Sequence, residues 1–238
     1  MVRTGPGKSF LYHSQERLRQ IIRHQDNEAP DSEAPFSGGR LFEANATSFQ
    51  PELARLLEED GFQAVRWGSM MTCSNLQNTP NVPMLVGLEV RPVKPEHYRQ
   101  IWDALLDAFH DDPGYSKPSE DDYTFWQQNS QFQPDLWQVA WEGNQVTGMV
   151  LNYITHDSAG NDPGLAWTED ICVRRSWRRC GLALALLVRS MRRFREIRFT
   201  QTSLGVDLNN LHGALQLYES MGYQLVSTLT IYRKQIDL

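Results

Sequence analysis

Residues 167–199 limit most strongly what this chain can fold into. A short apolar strand ending in Ile171, Cys172 and Val173 runs into four arginines, Arg174, Arg175, Arg178 and Arg179, then Gly181 and a long apolar run. Leu182, Ala183, Leu184, Ala185, Leu186, Leu187 and Val188 are all apolar or small, and Met191 and Phe194 continue one side at helical spacing. A buried helix therefore starts where the glycine ends. The first N–H groups of a helix lack intrahelical partners and carry partial positive charge, so an anion docked there is favoured twice over. Gly181 lets an anion approach the backbone, Ala183 keeps the next position small, and the preceding arginines add charge. The sequence therefore predicts a strand, a phosphate-cradling turn and a helix in direct succession.

Arg178-x-x-Gly181-x-Ala183, placed after a strand and opening a helix, resembles the acyl-CoA pyrophosphate loop of the GNAT acetyltransferase superfamily. A second stretch, Asn210-Leu211-His212-Gly213-Ala214-Leu215-Gln216-Leu217-Tyr218-Glu219-Ser220-Met221-Gly222-Tyr223, resembles that family's Asn...Ala-x-x-Leu-Tyr-x-x-x-Gly-Phe helix, with tyrosine at the last position. The resemblance covers the last third of the chain. It implies an α/β fold, a mixed sheet with flanking helices, that binds acetyl-CoA as cosubstrate and passes its acetyl group to an amine.

Composition narrows the alternatives. The 238 residues are enough for one large domain or two modest ones. Cys73, Cys172 and Cys180 show no C-x-x-C spacing, which points to neither a disulfide framework nor a zinc site, and no other metal constellation is visible. A reducing cytoplasm is the expected compartment. No segment has the apolar length to span a bilayer, and the first residues lack the apolar core of a secretion signal. A net charge of -6 argues against nucleic-acid binding, although nine arginines fall between positions 174 and 198. Those beyond the turn read as a solvated helix face.

The order of elements predicts two units. Gly5-Pro6-Gly7 precedes a helical run through Phe10, Leu11, Leu18, Ile21 and Ile22; residues 25–40 read as a loop; Leu41-Phe42-Glu43-Ala44-Asn45 reads as a strand. A helix from Pro51 stops at Gly61, and a strand returns over residues 62–71. The same order recurs from Gly181 onward, and at one constant offset Leu56-Leu57-Glu58-Glu59-Asp60-Gly61-Phe62-Gln63 lies over Leu217-Tyr218-Glu219-Ser220-Met221-Gly222-Tyr223-Gln224. This is either an internal repeat or a coincidence of two common helix endings. Read as a repeat, residues 1–72 are a partial GNAT-like unit resembling the degenerate first half of tandem GNAT proteins such as mycothiol synthase-like enzymes. Residues 73–87 are then a linker, and 88–238 the catalytic GNAT domain. The first copy lacks the strands that should precede its glycine turn, which fits a start inside a longer natural protein. In the second unit, Leu88-Glu89-Val90-Arg91-Pro92 reads as a first strand, residues 96–109 and 121–128 as helices, and residues 136–153 as a hairpin turning at Gly143-Asn144.

The resemblance implies roles for particular residues. The pyrophosphate would lie against Arg178, Arg179, Cys180, Gly181, Leu182 and Ala183, and the pantetheine arm along Ile171, Cys172 and Val173, which brings the thioester near Glu169. Tyr218 matches the tyrosine that protonates the departing thiolate, although a tyrosine on an apolar helix face is often only core. Glu169 matches a carboxylate that deprotonates the amine. Strand alternation puts Asp170 on the opposite face, so only one of the two faces the groove, and Glu169 is the choice. Asn210 is either the family asparagine near the pantetheine or a helix N-cap. His110, Asp111, Asp112, Tyr115, Tyr123 and Trp126 form an acidic and aromatic set on the family's acceptor helices that suits a cationic acceptor, or are merely solvated. The expected acceptor is a small-molecule or peptide amine and the expected state a monomer or homodimer. A non-catalytic acyl-CoA-binding remnant is the alternative.

Overall fold

A computed structural model describes residues 6–28, 41–111, 115, 117–156, 164–208 and 213–236. Their helices are α1 Pro6–Glu28, α2 Pro51–Glu59, α3 Tyr98–Phe109, α4 Glu120–Gln128, α5 Leu182–Glu196 and α6 Ala214–Ser220. Their strands are β1 Leu41–Thr47, β2 Gln63–Cys73, β3 Glu89–Val90, β4 Gln138–Glu142, β5 Gln145–Thr155, β6 Leu165–Val173, β7 Thr202–Asp207 and β8 Gln224–Gln235. Two compact units emerge, one of residues 1–70, 207–211 and 226–238, the other of residues 71–206 and 212–225.

In the first unit β1 runs antiparallel to β8 in a register from Leu41↔Gln235 to Thr47↔Leu229. Pro51 opens α2, where its missing N–H is not needed, and Phe42, Ala46, Leu57, Phe62 and Tyr232 form the core. Gln15 of α1 donates to the Asp60 carboxylate at 2.6 Å, which Lys234 also reaches at 2.9 Å. Pro6 and Gly7, expected to be part of a turn, are already helical, and Gly5 lies outside the described residues.

The second unit is a sheet in the order β7-β6-β5-β4-β3 with helices on both faces. Alternation along its strands divides the two faces. Val139, Trp141, Met149 and Leu151 pack with Ile101, Trp102, Ala104, Leu105 and Ala108 of α3, whereas Ala140 and Val150 pack with Leu182 and Leu186 of α5. Gly148 allows α5 to come this close, since a Cβ there would sit 2.9 Å from the Cys172 carbonyl oxygen and 3.2 Å from Leu182 Cδ2. Ser119 and Asp122 cap α4 reciprocally, the Ser119 N–H donating to Asp122 Oδ2 at 2.7 Å and the Asp122 N–H to Ser119 Oγ at 3.2 Å. The α/β class with a mixed sheet and flanking helices is as expected. Residues 73–87 are not free chain: Cys73 and Leu76 are buried in the core of this unit, and Met84 and Leu85 pack against its sheet and α5.

Candidate active site

The site lies where the sheet of the second unit opens. β5 and β6 are antiparallel neighbours over most of their length, but the parallel ladder between β6 and β7 holds one register pair, Trp167↔Ser203. A hydroxyl cluster pins the strands at that point. Thr168 and Thr202 share a hydrogen bond of 2.8 Å, Thr202 donates to the Ala166 carbonyl at 3.1 Å, and the Tyr223 hydroxyl reaches Thr168 at 3.5 Å. Beyond this pin, toward Val173, no further register pair joins the strands among the described residues. Glu169 reaches into the gap, where its Oε1 accepts the Gly205 N–H at 3.1 Å.

Next to Glu169 the strand breaks its own alternation. The β5–β6 register runs Leu151↔Glu169 and then Met149↔Cys172, so two residues of β6, Asp170 and Ile171, lie opposite Val150 alone. Asp170 has φ +45°, a left-handed conformation, and the two features together make a β-bulge. The expectation that Glu169 and Asp170 face opposite ways is therefore corrected: both line one cavity of about 320 Å³. Trp126, Asn129, Gln131, Phe132, Trp137, Leu151 and Tyr153 form the rest of its wall.

Crowding by protein atoms controls the chemistry of these carboxylates. Burial, reinforced by the Asp170 charge and partly offset by the Gly205 N–H, pushes the Glu169 carboxyl up to about 7. Asp170 opens to solvent through the cavity yet is closely surrounded by protein, and desolvation raises it to about 6. Tyr218 of α6 is buried, 6% exposed, and desolvation together with the charges of Glu169 and Cys172 raises its phenol well above the ordinary range. The fold thus brings Tyr218 and Glu169, 49 positions apart by subtraction of their numbers, within electrostatic reach of each other.

At the other end of the open strand lies the Gly181 turn. Gly181 is the N-cap of α5 with φ +89°, and a Cβ there would meet nothing within 4 Å. The first helical bond joins the Ala185 N–H to the Gly181 carbonyl at 3.1 Å, so the amides of Gly181, Leu182, Ala183 and Leu184 have no helical acceptor. The arginines divide. Arg178 is a scaffold: it donates to the Val173 carbonyl at 3.0 Å and the Ala108 carbonyl at 2.8 Å and pairs with Asp111 at 3.3 Å. Arg174 pairs with Asp107 and Arg175 with Asp111. Arg174, Arg175 and Arg178, expected to add charge around the turn, are thus each paired with an aspartate. Arg179, exposed and at φ +63°, is the arginine of the four that no carboxylate among the described residues engages. Cys180 is exposed beside it; Ile171 and Val173 pack toward α5, and Cys172 is buried toward α3.

The sequence model of the acetyltransferase (GNAT) family matches residues 102–223, which is 122 of the 238 residues. The chain belongs to the GNAT family. The structure is similar to a GCN5-related N-acetyltransferase from Sphaerobacter thermophilus, with a TM-score of 0.74 and 24% identity over 97% of this chain and 69% of that one. It is also similar to a tandem GNAT protein from the clavulanic acid biosynthesis pathway (TM-score 0.66, 14% identity, 98% and 71% covered) and to a GCN5-related N-acetyltransferase from Kribbella flavida (0.60, 15%, 97% and 77%). No curated protein matches the sequence.

Within this GNAT fold some expected contributors lie elsewhere. Asn210 and His212 fall outside the described residues, and the N-cap of α6 is Gly213. Of the expected acidic and aromatic set, Asp111 is committed to Arg175 and Arg178, Tyr123 packs against Trp102, and Asp112 lies outside the described residues; Trp126 alone lines the cavity. Sequence reasoning missed Asp170 as a cavity residue, along with Tyr153, Phe132 and Trp137. Strict period-2 reading conceals a bulge, and nothing in the residue types of β6 marks it.

Proposed function

We propose that this GNAT protein transfers an acetyl group from acetyl-CoA directly to an amine. The observation that carries the reading is the pairing of an open helix N-terminus at Gly181 with a strand, β6, that parts from its neighbour and carries Glu169 at the pinned end. The amides of Gly181–Leu184 and the side chain of Arg179 suit the pyrophosphate. Beyond the single register pair with β7, the course of β6 from Ile171 to Val173 suits the amide-bearing pantetheine arm, which would bring the thioester to Glu169 and Tyr218.

Glu169 takes a proton from the ammonium of the acceptor, directly or through water. A carboxylate that ionises near 7 is well matched to this work at neutral pH. As the new C–N bond forms and the C–S bond breaks, Tyr218 gives its proton to the departing sulfur; its raised phenol pKa keeps that proton available. We extend the reading to domain organisation: residues 88–238 hold the acetyltransferase unit, although 226–238 group with the first compact unit and 73–87 with the second, and the segment before residue 73 is a partial GNAT-like copy. The likeness to a tandem GNAT protein over 98% of the chain supports this.

The test is acetyl-CoA binding by calorimetry combined with thiol release in the presence of an amine panel. Wild-type protein should bind and turn over, and Tyr218→Phe should lose about 10²-fold or more in kcat with little change in acetyl-CoA affinity. Binding without transfer to any amine would leave a non-catalytic acyl-CoA-binding protein.

A further inference from the structure

The cavity beside Glu169 has a composition that selects among amines. Its far wall is an aromatic cluster: Trp126 and Trp137 stack with centroids 5.3 Å apart, and Phe132 meets each of them edge-on at 4.9 Å. Tyr153 lines the same space and stacks on Trp167 at 6.1 Å. These contacts hold the rings in fixed orientations before any ligand enters. The near wall carries Glu169 and Asp170, and none of the described lining residues is basic. Asp170 has neither an ion pair nor a hydrogen bond among the described residues, while Glu169 has one oxygen engaged, by Gly205. The bulge holds Asp170 in a left-handed conformation, so this placement is maintained by the surrounding fold. At about 320 Å³ the space is near the small end of the roughly 300–1,000 Å³ typical of ligand pockets.

We propose that this cavity is the acceptor site and that it selects a primary amine, bound as an ammonium ion, on a compact flat apolar body such as an aryl-ethyl group. This rests on the acetyl-transfer reading above and narrows it. Asp170 holds the ammonium as its counter-ion, and Glu169 stays available to remove the proton. The rings of Trp126, Phe132 and Trp137 take the apolar body, and their π faces add attraction for the cationic end. Acidic acceptors meet two carboxylates with no compensating cation. Sugars and polyamines carry too little apolar surface to fill the aromatic wall, so they forgo the burial that an aryl body gains.

Acceptor binding can be measured without acetyl-CoA, by calorimetry at pH 7.5, with 2-phenylethylamine, its neutral counterpart 2-phenylethanol and the anion 3-phenylpropionate. The amine should bind at least tenfold more tightly than the alcohol, and the anion should not bind. Asp170→Asn removes the charge with a residue that tolerates left-handed φ. It should weaken the amine at least tenfold, bring amine and alcohol to similar affinities, and leave acetyl-CoA binding intact. Trp126→Ala should weaken amine and alcohol alike. In turnover, kcat/KM for 2-phenylethylamine should exceed that for spermidine, glucosamine and a lysine-containing peptide by 10²-fold or more. Transfer to the hydrophilic amines with no preference for the aryl amine overturns this inference and leaves acetyl transfer standing. Charge-selective binding of 2-phenylethylamine with no transfer at all supports the inference while the transferase reading fails. Equal affinity for amine and alcohol in the wild type overturns it outright.

Discussion

At the scale of single residues, chemistry is set by how each group is desolvated. Glu169 and Asp170 are adjacent in sequence yet do different work, because one reaches the Gly205 N–H and the other faces the cavity without a partner among the described residues. The raised Glu169 pKa has a definite sign for stability. The folded state binds a proton more tightly than the unfolded chain, so between the ordinary value of 4.5 and about 7 folding becomes less favourable as pH rises. Glu169→Gln should therefore melt at a higher temperature than wild type at pH 8, by about 1–2 kcal/mol of stability after solvent screening, with the advantage gone near pH 4. In activity the order reverses. Wild-type kcat/KM should climb with pH through an ionisation near 7, whereas Glu169→Gln should be slow and flat over the same range. A wild-type profile with no ionisation between pH 6 and 8 would remove Glu169 from the role of base.

At the scale of elements, two departures from regularity make the site: the bulge in β6 and the glycine start of α5. The second was legible in the sequence, because Gly181 followed by an uninterrupted apolar run has few other readings. Arg178 shows the limit of that reading. The motif marks its position correctly, but its guanidinium clamps Val173, Ala108 and Asp111, which joins the end of α3 to the turn and makes this arginine a support for the cradle. Gly181→Val should raise the acetyl-CoA Kd at least tenfold. Its φ of +89° disfavours a branched side chain, and the open space over the turn would be filled. Arg179→Gln should weaken binding severalfold, more at low salt than at high, because an exposed charge is screened. If both variants bind acetyl-CoA like the wild type, the pyrophosphate lies elsewhere.

At the scale of the whole molecule, stability of the second unit rests on the layer between its sheet and α5. Phe194 is fully buried there, with Phe199 edge-on at 5.9 Å, whereas Phe125 on α4 is 68% exposed. Phe194→Ala should cost about 3–5 kcal/mol in chemical denaturation, and Phe125→Ala should stay within about 0.5 kcal/mol of wild type. Local patterns were enough to predict this architecture. Helix starts, glycine stops and alternating strands depend on neighbours a few residues apart, so α2, α3, α4, α5 and the β4–β5 hairpin could all be read from residue order. The same holds for the Gly181 turn, whose chemistry is that of a helix end. The cavity could not be read this way. Its walls come from α4, from the segment before β4, from β5 and from β6, and its second carboxylate depends on a bulge in the pairing of β6 with β5. Residue order determined the elements and the open helix start at Gly181. Which side chains line the cavity was decided by long-range strand pairing, since one inserted residue in a ladder reverses every face that follows it.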